Sequence, residues 1–427
     1  QYISHLIILL LFSGIAEANK LPQALTDHDF PTFTSEQIKL GQLLFYDKIL
    51  SGNRNISCST CHHPEHGTSD GLSLGIGEGG VGLGPKRTTG KDLIKKRIPR
   101  NSTALWNLGS KEINVLFHDG RLSKNDTYEN IFDSPAEEWL PVGFVSILAA
   151  QSIFPLVSQF EMAGNPGEND VAGASHDRID APWPIIAKRV RNINEYGSRF
   201  VSSYDHIENY TQISIVDIAN ALAAFISSEW KSNDTRYDQF ISGNEAILTN
   251  SEKSGMDLFF GKAKCNDCHN GKLLSDQKFY SISLPSFGPG RTRIFDPLPR
   301  DTGHMAETDD LSDAYRFRTP MLRNIKLSAP YGHNGAYPDL KGIIQHHLNP
   351  LKEKGLWKQE YVNLPSIQHL NMNDFIIQED VREMIRQSSF IDIEPIKLSE
   401  VEINDLVLFM DTLTGETIER IGIPKSV

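Results

Sequence analysis

The chain has 427 residues, of which 39% are hydrophobic and 22% are charged. At a soft prior of about 150 residues per domain, this length favours two or three domains, and the apolar content excludes wholesale disorder. The 54 acidic and 42 basic residues give a net charge of −12. That balance argues against nucleic-acid binding, which needs a basic face. No apolar run reaches the roughly 18 residues needed to span a bilayer.

The N-terminus carries a short apolar run, Leu6 to Phe12, followed by Ala16-Glu17-Ala18. A run of this length that ends in an A-x-A pattern is typical of a secretory signal. We therefore predict a signal peptide over residues 1–18 and a mature chain that functions in the periplasm. An N-terminal anchor or a buried strand is the alternative interpretation of this segment.

The four cysteines are too few for a disulfide scaffold of this size, and their spacing is informative. They form two C-x-x-C pairs, and a histidine directly follows each pair. C-x-x-C-H is the pattern for c-type haem attachment: two thiols form thioethers with one porphyrin, and the imidazole ligates its iron. We predict two covalent haems c, held by Cys58, Cys61 and His62 and by Cys265, Cys268 and His269.

The sequence is less compatible with three other roles for these cysteines. A four-cysteine zinc site needs pairs that converge within tens of residues, and it leaves both histidines unexplained. Thioredoxin-like redox pairs need a βαβ context, which the sequence lacks. Ordinary disulfides would rarely select this spacing twice.

The surroundings of the two motifs are repeated, which indicates a duplicated module. A Ser-Glu start and a G-x-x-L-F pattern precede each motif, and both copies begin with a capping box, at Thr34 and at Thr249. Helical periodicity also covers Ile215 to Ser228 and Val401 to Met410, whereas strand-like alternation is scarce. We predict a mainly α protein with long loops and a module boundary after Ser242-Gly243.

These residues resemble the bacterial di-haem cytochrome c peroxidases and their MauG-like relatives, from about Leu40 to His347. The resemblance implies two cytochrome c-like domains, over residues 19–243 with a peroxidatic haem and over 244–427 with an electron-transfer haem. The matching segments are 40–45, 57–62, 100–103, 117–121, 160–162, 265–269, 317–324 and 329–333.

Glu161 is the candidate acid–base catalyst. Cleavage of the peroxide O–O bond needs a group that moves a proton between its two oxygens, and a carboxylate over an open haem suits that role. The sequence around Glu161, FEMAG, is similar to the family's distal glutamate motif. A solvated surface charge is the ordinary fate of a glutamate and is the alternative.

Three departures from the family pattern carry information. Peroxidases that need reductive activation place a blocking histidine in the loop after the first haem motif, but Leu74 to Glu78 contains none. The first haem is therefore expected to be open, as in MauG-like proteins. The family often has a tryptophan just before Asp-Gly-Arg, where this chain has His118.

The third departure concerns the far ligand of the second haem. The resemblance places that ligand fourteen residues after His333, at His347, where activatable peroxidases have methionine and MauG has tyrosine. Loss of methionine should lower the reduction potential. The alternative is that His346 and His347 are both structural. His333 is similar to a residue near a propionate of the second haem.

The resemblance also implies a calcium ion between the domains. Its ligands would be the side chain of Asn101 and the carbonyls of Ser328 and Pro330, and oxygen ligands suit this hard cation.

Three functions remain open at this stage. The first is a periplasmic di-haem peroxidase that reduces hydrogen peroxide with electrons from a small protein, a cytochrome c or a cupredoxin. The second is a MauG-like enzyme that oxidises an aromatic side chain of a partner protein. The third is a non-enzymatic electron carrier. No membrane span is expected after signal cleavage, and a homodimer is compatible with the family.

Overall fold

A computed structural model describes residues 21–91, 94–291 and 298–415. Within these ranges the chain is mainly helical, as predicted, and its strands are only two or three residues long. None of the described helices has both the length and the apolar character to cross a membrane. The predicted signal peptide lies outside the described residues.

Fifteen α-helices occur in the described ranges, and most of the chain between them is loop. They are α1 (Ser35–Tyr46), α2 (Cys58–Cys61), α3 (Ile147–Ser152), α4 (Asp170–Asp177), α5 (Pro182–Arg191), α6 (Asn194–Ser203), α7 (Ile215–Glu229), α8 (Arg236–Ile241), α9 (Asn250–Phe260), α10 (Met305–Thr308), α11 (Leu340–Leu348), α12 (Pro350–Leu356), α13 (Gln368–Asn371), α14 (Val381–Ser388) and α15 (Glu400–Asp411).

Short 3₁₀ turns and one π-helical turn, Gln159–Ala163, connect these helices. The 3₁₀ turns are Asp27–Asp29, Lys48–Leu50, Pro64–His66, Gly84–Lys86, Glu137–Trp139, Pro155–Val157, Tyr210–Gln212, Glu245–Ile247, Cys265–Asp267, Leu311–Asp313, Ile325–Leu327, Gln359–Tyr361 and Ile376–Glu379.

The strands form three small antiparallel sheets. These sheets connect loops to one another and do not form a separate layer of the fold. In register, Gly80 pairs with Thr89, Ser123 pairs with both Val115 and Asp133, and Phe279 pairs with Arg318. The strands are β1 (Gly80–Val81), β2 (Thr88–Thr89), β3 (Val115–Leu116), β4 (Leu122–Lys124), β5 (Phe132–Asp133), β6 (Phe279–Tyr280) and β7 (Phe317–Arg318).

The helices α1 and α9 begin at the two predicted capping boxes. The Thr34 hydroxyl accepts a hydrogen bond from the Gln37 amide at 3.2 Å, and the Thr249 hydroxyl accepts one from the Glu252 amide at 3.3 Å. In both cases the N3 side chain bonds back to the cap amide. Each cap satisfies amides that the first turn leaves unpaired, so both helices start where the sequence predicts.

The duplicated helices also pack in the same way. The helix α1 packs on α7, and α9 packs on α15. A Cβ added at Gly41 would overlap the carbonyl oxygen of Ala221, and one added at Gly255 would overlap the carbonyl oxygen of Asp405. Glycine in the G-x-x-L-F pattern is therefore required by a helix crossing in which the two backbones touch.

Two main hydrophobic cores accompany these crossings. The larger one contains α1 and α7 and is built almost entirely from residues before 231. The second contains α9 and α15 and includes Tyr237, whose ring lies 5.6 Å from that of Phe409. The domain boundary after Gly243 remains a prediction, although Tyr237 precedes it and packs with the second core.

We predict that Gly41→Ala destabilises the protein by about 1–3 kcal/mol, because the methyl group has no space between α1 and α7. The measurement is the free energy of unfolding in a denaturant titration of the haem-loaded protein. The control is Gly173→Ala, within α4, where an added Cβ meets nothing within 4 Å. Helix propensity should make that variant about 0.5–1 kcal/mol more stable. Equal effects of the two substitutions would contradict the close crossing.

Candidate active site

The first cysteine pair forms a single helical turn, α2, and His62 ends it. The Nδ1 atom of His62 lies 3.1 Å from the carbonyl oxygen of Thr68. A carbonyl partner fixes the proton on Nδ1 and leaves Nε2 with its lone pair available for a metal. The local fold therefore orients this imidazole as a ligand.

The thiols of this pair do not have the character of a redox couple. All four cysteines of the chain are free of disulfide bonds. Desolvation raises the pKa of Cys58 and of Cys61 to about 12. Redox-active C-x-x-C pairs instead require a lowered thiol pKa. This difference argues against the thioredoxin-like alternative.

A cavity of about 1150 Å³ lies beside the pair and is lined by Cys58, Cys61 and His62. This volume is on the scale that a large cofactor fills, since pockets for small ligands hold roughly 300–1000 Å³. Glu161 lines the same cavity. Among the described histidines, His62 and His118 are the two that reach its wall.

Glu161 is presented to this cavity by the π-helical turn, which places Met162 in the core. A glycine-rich loop, residues 75–84, packs directly against this turn, since a Cβ added at Gly77 would overlap the carbonyl oxygen of Phe160. Arg87 holds the loop by donating hydrogen bonds to the carbonyls of Ile76 and Gly77. The Glu161 backbone is thus supported from the side away from the cavity.

Burial raises the pKa of Glu161, and the charges of Arg121 and Arg291 partly oppose this rise. No hydrogen bond joins its carboxylate to another of the described side chains. A half-buried carboxyl group with a raised pKa and an unused oxygen is suited to accept and return a proton. The alternative of a solvated surface charge does not fit this environment.

The two arginines near Glu161 belong to a buried ion network around Asp119, whose side chain is fully buried. Arg100 contacts the Asp119 carboxylate at 2.7 Å, Arg291 contacts it at 2.6 Å, and Arg121 lies 3.1 Å away. Burial would raise the pKa of Asp119, but the three guanidinium groups outweigh it and hold that pKa well below its usual value.

Two residues of the cavity wall were not singled out from the sequence. Arg318 is 5% exposed, and burial alone lowers the pKa of its guanidinium to about 10. Its described hydrogen bonds go to the carbonyls of Phe117 and Thr319, and none goes to a carboxylate. Asp70 is 1% exposed, and burial raises the pKa of its carboxyl group to about 7. Arg318 belongs to a segment that matches the family pattern, and this match could have indicated a role for it. Nothing in the sequence around Asp70 indicates such a role.

The second cysteine pair has the same imidazole arrangement. The Nδ1 atom of His269 lies 3.1 Å from the carbonyl oxygen of Leu274. The ring centroid of His347 lies 6.4 Å from that of His269, and the Nδ1 atom of His347 lies 2.8 Å from the Ile343 carbonyl oxygen. His269 and His347 are therefore close enough to hold one metal ion between them.

The adjacent His346 has a different environment. Its Nδ1 atom lies 2.8 Å from the hydroxyl of Tyr337, and its Nε2 atom lies 2.8 Å from the Ile282 carbonyl oxygen. Both ring nitrogens are therefore occupied, and the side chain is fully buried. Of the two neighbouring histidines, His347 is the one with a nitrogen available to a metal.

A chain of contacts joins the two proximal histidines. Thr103 contacts the His62 ring through its carbonyl, and its hydroxyl lies 3.2 Å from the Nε2 atom of His118. The carbonyl of His118 accepts a hydrogen bond of 2.8 Å from the Arg318 amide. Pro320 lies two residues after Arg318 in the chain, and its carbonyl contacts the ring of His269. Two residues of extended backbone span at most about 7 Å, so the two sites are neighbours.

The predicted positions His333 and Asn101 lie beside this chain of contacts. His333 stacks on Phe317, with ring centroids 3.5 Å apart. Its carbonyl accepts a hydrogen bond of 2.8 Å from the Asn101 amide, which brings together the two segments that carry the predicted calcium ligands. Among the described residues no hydrogen bond joins Asn101 to Ser328 or Pro330, and the Asn101 side chain donates one of 2.7 Å to the Leu72 carbonyl. The calcium site and the propionate role of His333 stay predictions.

The donor groups present fit two haems of the c type. Each cysteine pair is free and adjoins an imidazole whose Nε2 is available, and the first cavity has the required size. Arg318 adds a buried cation that lacks a carboxylate partner among the described residues and that would suit an acidic propionate.

Comparisons with known proteins agree with this geometry. The family described as di-haem cytochrome c peroxidase matches residues 35–246. The cytochrome-c peroxidase IdrP1 of Pseudomonas sp. (strain SCT) is 27% identical over 395 residues, covering 84% of this chain and 87% of the relative. MauG of Methylorubrum extorquens is 25% identical over 383 residues, covering 90% of this chain and 79% of the relative. The chain belongs to the di-haem cytochrome c peroxidase and MauG family.

Solved structures of the family share the fold. A MauG-like protein associated with microbial copper homeostasis aligns with a TM-score of 0.61 and 26% identity, over 95% of this chain and 97% of that chain. The di-haem peroxidase BthA of Burkholderia thailandensis aligns with a TM-score of 0.59 and 18% identity, over 96% of this chain and 94% of that chain. Family membership implies two c-type haems and confirms the predicted mainly α fold.

We predict that His347→Ala converts the low-spin signal of the second haem to high spin, because the iron loses its second imidazole. Electron paramagnetic resonance of the oxidised protein measures this change. The matched control is the neighbouring variant His346→Ala, which should lower stability by about 1–3 kcal/mol through lost buried hydrogen bonds but keep the low-spin signal. A low-spin signal that survives in His347→Ala would assign the ligand to another residue.

Proposed function

We propose that this protein is a periplasmic di-haem peroxidase, which reduces hydrogen peroxide to water with electrons delivered by a small redox protein. The observation that supports this most strongly is the cavity shared by His62 and Glu161. Its wall combines an imidazole suited to bind a metal with a carboxyl group of raised pKa. The loop over Leu74 to Glu78, where the resemblance places a blocking ligand, contains no histidine.

The reaction takes one peroxide, two electrons and two protons, and it releases two waters. The haem iron, when bound, supplies the coordination position for peroxide and accepts the electron change. Glu161 accepts the proton from the nearer peroxide oxygen and returns it to the oxygen that leaves. Burial raises the pKa of Glu161, and the charges of Arg121 and Arg291 limit this rise by favouring the carboxylate form.

The second site, at His269 and His347, serves electron transfer in this proposal. His269 and His347 would both hold the iron of a haem bound there, so that iron would serve electron transfer and not peroxide binding. The contacts through Thr103, His118 and Arg318 provide a bonded route between the sites. His118 thereby takes the place that a tryptophan has in many relatives. Burial lowers its pKa to about 4, so it remains neutral during turnover.

A MauG-like activity is the second candidate, with an aromatic side chain of a partner protein as the electron source. Two observations favour it: the loop over Leu74 to Glu78 contains no histidine, and histidine replaces methionine at position 347. The copper-associated MauG-like protein of known structure and MauG itself are both among the relatives. A purely electron-carrying protein is the third candidate.

We predict that Glu161→Gln slows peroxide cleavage by about 10²-fold or more, as expected for the loss of a general acid–base group. Stopped-flow mixing of the haem-loaded protein with peroxide measures this rate. Glu65→Gln is a suitable control, because that carboxylate is 60% exposed and lies near the same haem motif. An unchanged rate in Glu161→Gln would remove the residue from the mechanism.

The pH profile gives an independent readout of the same group. Because its pKa is raised above the ordinary glutamate value of 4.5, the rate should rise with pH through an inflection above 4.5. The proton-accepting carboxylate accumulates as pH increases through that inflection. The inflection should be absent in Glu161→Gln, and its persistence there would assign it to a different group.

We predict that the fully oxidised protein turns over peroxide without prior reduction, because no blocking imidazole must leave. Steady-state turnover with and without pre-reduction tests this, together with the resonance spectrum. One high-spin and one low-spin ferric signal support either enzyme. Two low-spin signals and no turnover would leave the electron carrier as the function.

A further inference from the structure

One buried carboxyl group on the wall of the first cavity has no role in the proposed function. Asp70 is 1% exposed, and it lines the cavity that contains Cys61 and His62. Its Oδ1 atom accepts a hydrogen bond of 3.0 Å from the Leu72 amide. Its Oδ2 atom is buried and has no hydrogen-bond partner among the described residues. Buried polar atoms are normally paired, so this oxygen requires an explanation.

The backbone around Asp70 is anchored on both sides. The Ser69 hydroxyl donates a hydrogen bond of 2.7 Å to the Ser102 carbonyl, and the Ser73 hydroxyl donates one of 2.7 Å to the Gly335 carbonyl. Both anchors are buried. Because the Leu72 amide also holds Oδ1, the Asp70 side chain has one fixed orientation, and Oδ2 keeps its place on the cavity wall.

Oδ2 lies beside Gly75, which lines the same cavity. A Cβ added at Gly75 would lie only 2.7 Å from Oδ2, so glycine leaves the space that this oxygen occupies. Asp70 and Gly75 share this part of the wall with Cys61 and His62. Oδ2 is therefore at the edge of the space that a haem held by Cys61 and His62 would fill.

The charged groups that act on Asp70 leave its proton free to exchange. Burial raises the pKa of its carboxyl group to about 7, and the Leu72 hydrogen bond and the Arg87 charge only partly oppose this rise. Arg87 donates its hydrogen bonds to three backbone carbonyls of the glycine-rich loop and none to Asp70. The Cys61 thiol also interacts with Asp70, and it becomes an uncharged thioether when haem is attached.

A carboxyl group at this position must respond to the charge of a nearby iron. Reduction lowers the charge of a haem by one unit. Such a change at a distance of about 10 Å inside a protein alters a proton affinity by about tenfold. Protonation of a carboxylate becomes more favourable when an electron arrives beside it. Because the two events are linked, proton binding favours reduction to the same extent.

A purely structural role would not need an acid at this position. The bond from the Leu72 amide to Oδ1 forms an Asx turn, which asparagine forms as well as aspartate does. No described cation bonds to Oδ2, so an ion pair does not account for the carboxylate. The property that distinguishes aspartate from asparagine here is its ability to bind and release a proton.

We infer that Asp70 takes up a proton when the first haem accepts an electron and releases it when that haem is oxidised again. The electron enters the iron and a proton from solvent binds to Oδ2, so the net charge of the cavity does not change. This goes beyond the proposed function, in which Glu161 moves a proton between the peroxide oxygens. Asp70 instead couples the arrival of protons at the first site to the arrival of electrons.

The test is a spectroelectrochemical titration of both haems in the haem-loaded protein, from about pH 5 to about pH 9. The variant is Asp70→Asn, which keeps the shape of the side chain and the acceptor for the Leu72 amide but cannot bind the proton. The matched control is Glu65→Gln, because that carboxylate lies near the same haem motif and is 60% exposed. The second haem is an internal control.

We expect the midpoint potential of the first haem to fall as pH rises through neutrality, because ionised Asp70 stabilises the oxidised iron. In Asp70→Asn the potential should stay at the low-pH value throughout, whereas Glu65→Gln should follow the unmodified protein. A tenfold difference in proton affinity between the two oxidation states corresponds to about 59 mV between the low-pH and high-pH limits. The potential of the second haem should not change in Asp70→Asn.

Several outcomes would overturn the inference. A pH dependence that persists in Asp70→Asn would assign the proton to another group, such as a haem propionate. A first-haem potential that does not vary with pH in the unmodified protein would have the same effect and needs no variant. If Asp70→Asn fails to bind haem, Asp70→Glu replaces it. That variant displaces the carboxyl group by one methylene, so the inflection should move along the pH axis, and an inflection that stays in place would contradict the inference.

These measurements use neither peroxide nor a protein electron donor, so they are independent of the proposed function. Absence of peroxide turnover would count against the proposed function and leave the link between electron and proton intact. Normal peroxide turnover combined with a first-haem potential that is insensitive to pH would remove the role of Asp70 alone.

Discussion

The orientation of three imidazole rings is the constraint on which both sites depend. His62, His269 and His347 each bond through Nδ1 to a backbone carbonyl, which leaves Nε2 to face a metal. The acceptors are carbonyls of nearby loop or helix residues, so ring orientation is set by the local backbone rather than by distant packing.

The two sites differ in the group that lies opposite each proximal histidine ring. The first has an open cavity with a carboxyl group, and the second has another imidazole. The buried network around Asp119 lies between the first cavity and the segment near residue 300, with Arg100 bonded to both Asp119 and Asp301. Breaking such a buried network is costly, about 3–5 kcal/mol for one partner, so it holds the segment near residue 300 firmly against the wall of the first cavity.

Much of this arrangement could be predicted from the sequence because it is encoded over short distances. The haem motifs and the capping boxes at Thr34 and Thr249 involve residues three or four positions apart. His347 needed the family spacing, since two adjacent histidines look alike in sequence, and their separate roles depend on Tyr337 and Ile282.

Other features could not be foreseen because they arise from tertiary contacts. Arg318 and Asp70 become unusual only through burial, which no local pattern records. The outward orientation of Ile131 contradicts the usual burial of apolar residues and depends on a left-handed backbone that Asn130 and Phe132 anchor. No local sequence pattern indicates a partner for the loop around Gly77, yet Arg87 binds this loop against the segment that carries Glu161.

The enclosure of the cysteine thiols has a consequence for biosynthesis. In the folded chain Cys58 and Cys61 are only partly exposed on the wall of the first cavity, and desolvation raises the pKa of both thiols to about 12. Thioether formation requires reactive, accessible sulfur. We therefore expect a porphyrin to react with these two thiols more readily in a chain that has not finished folding than in the folded protein.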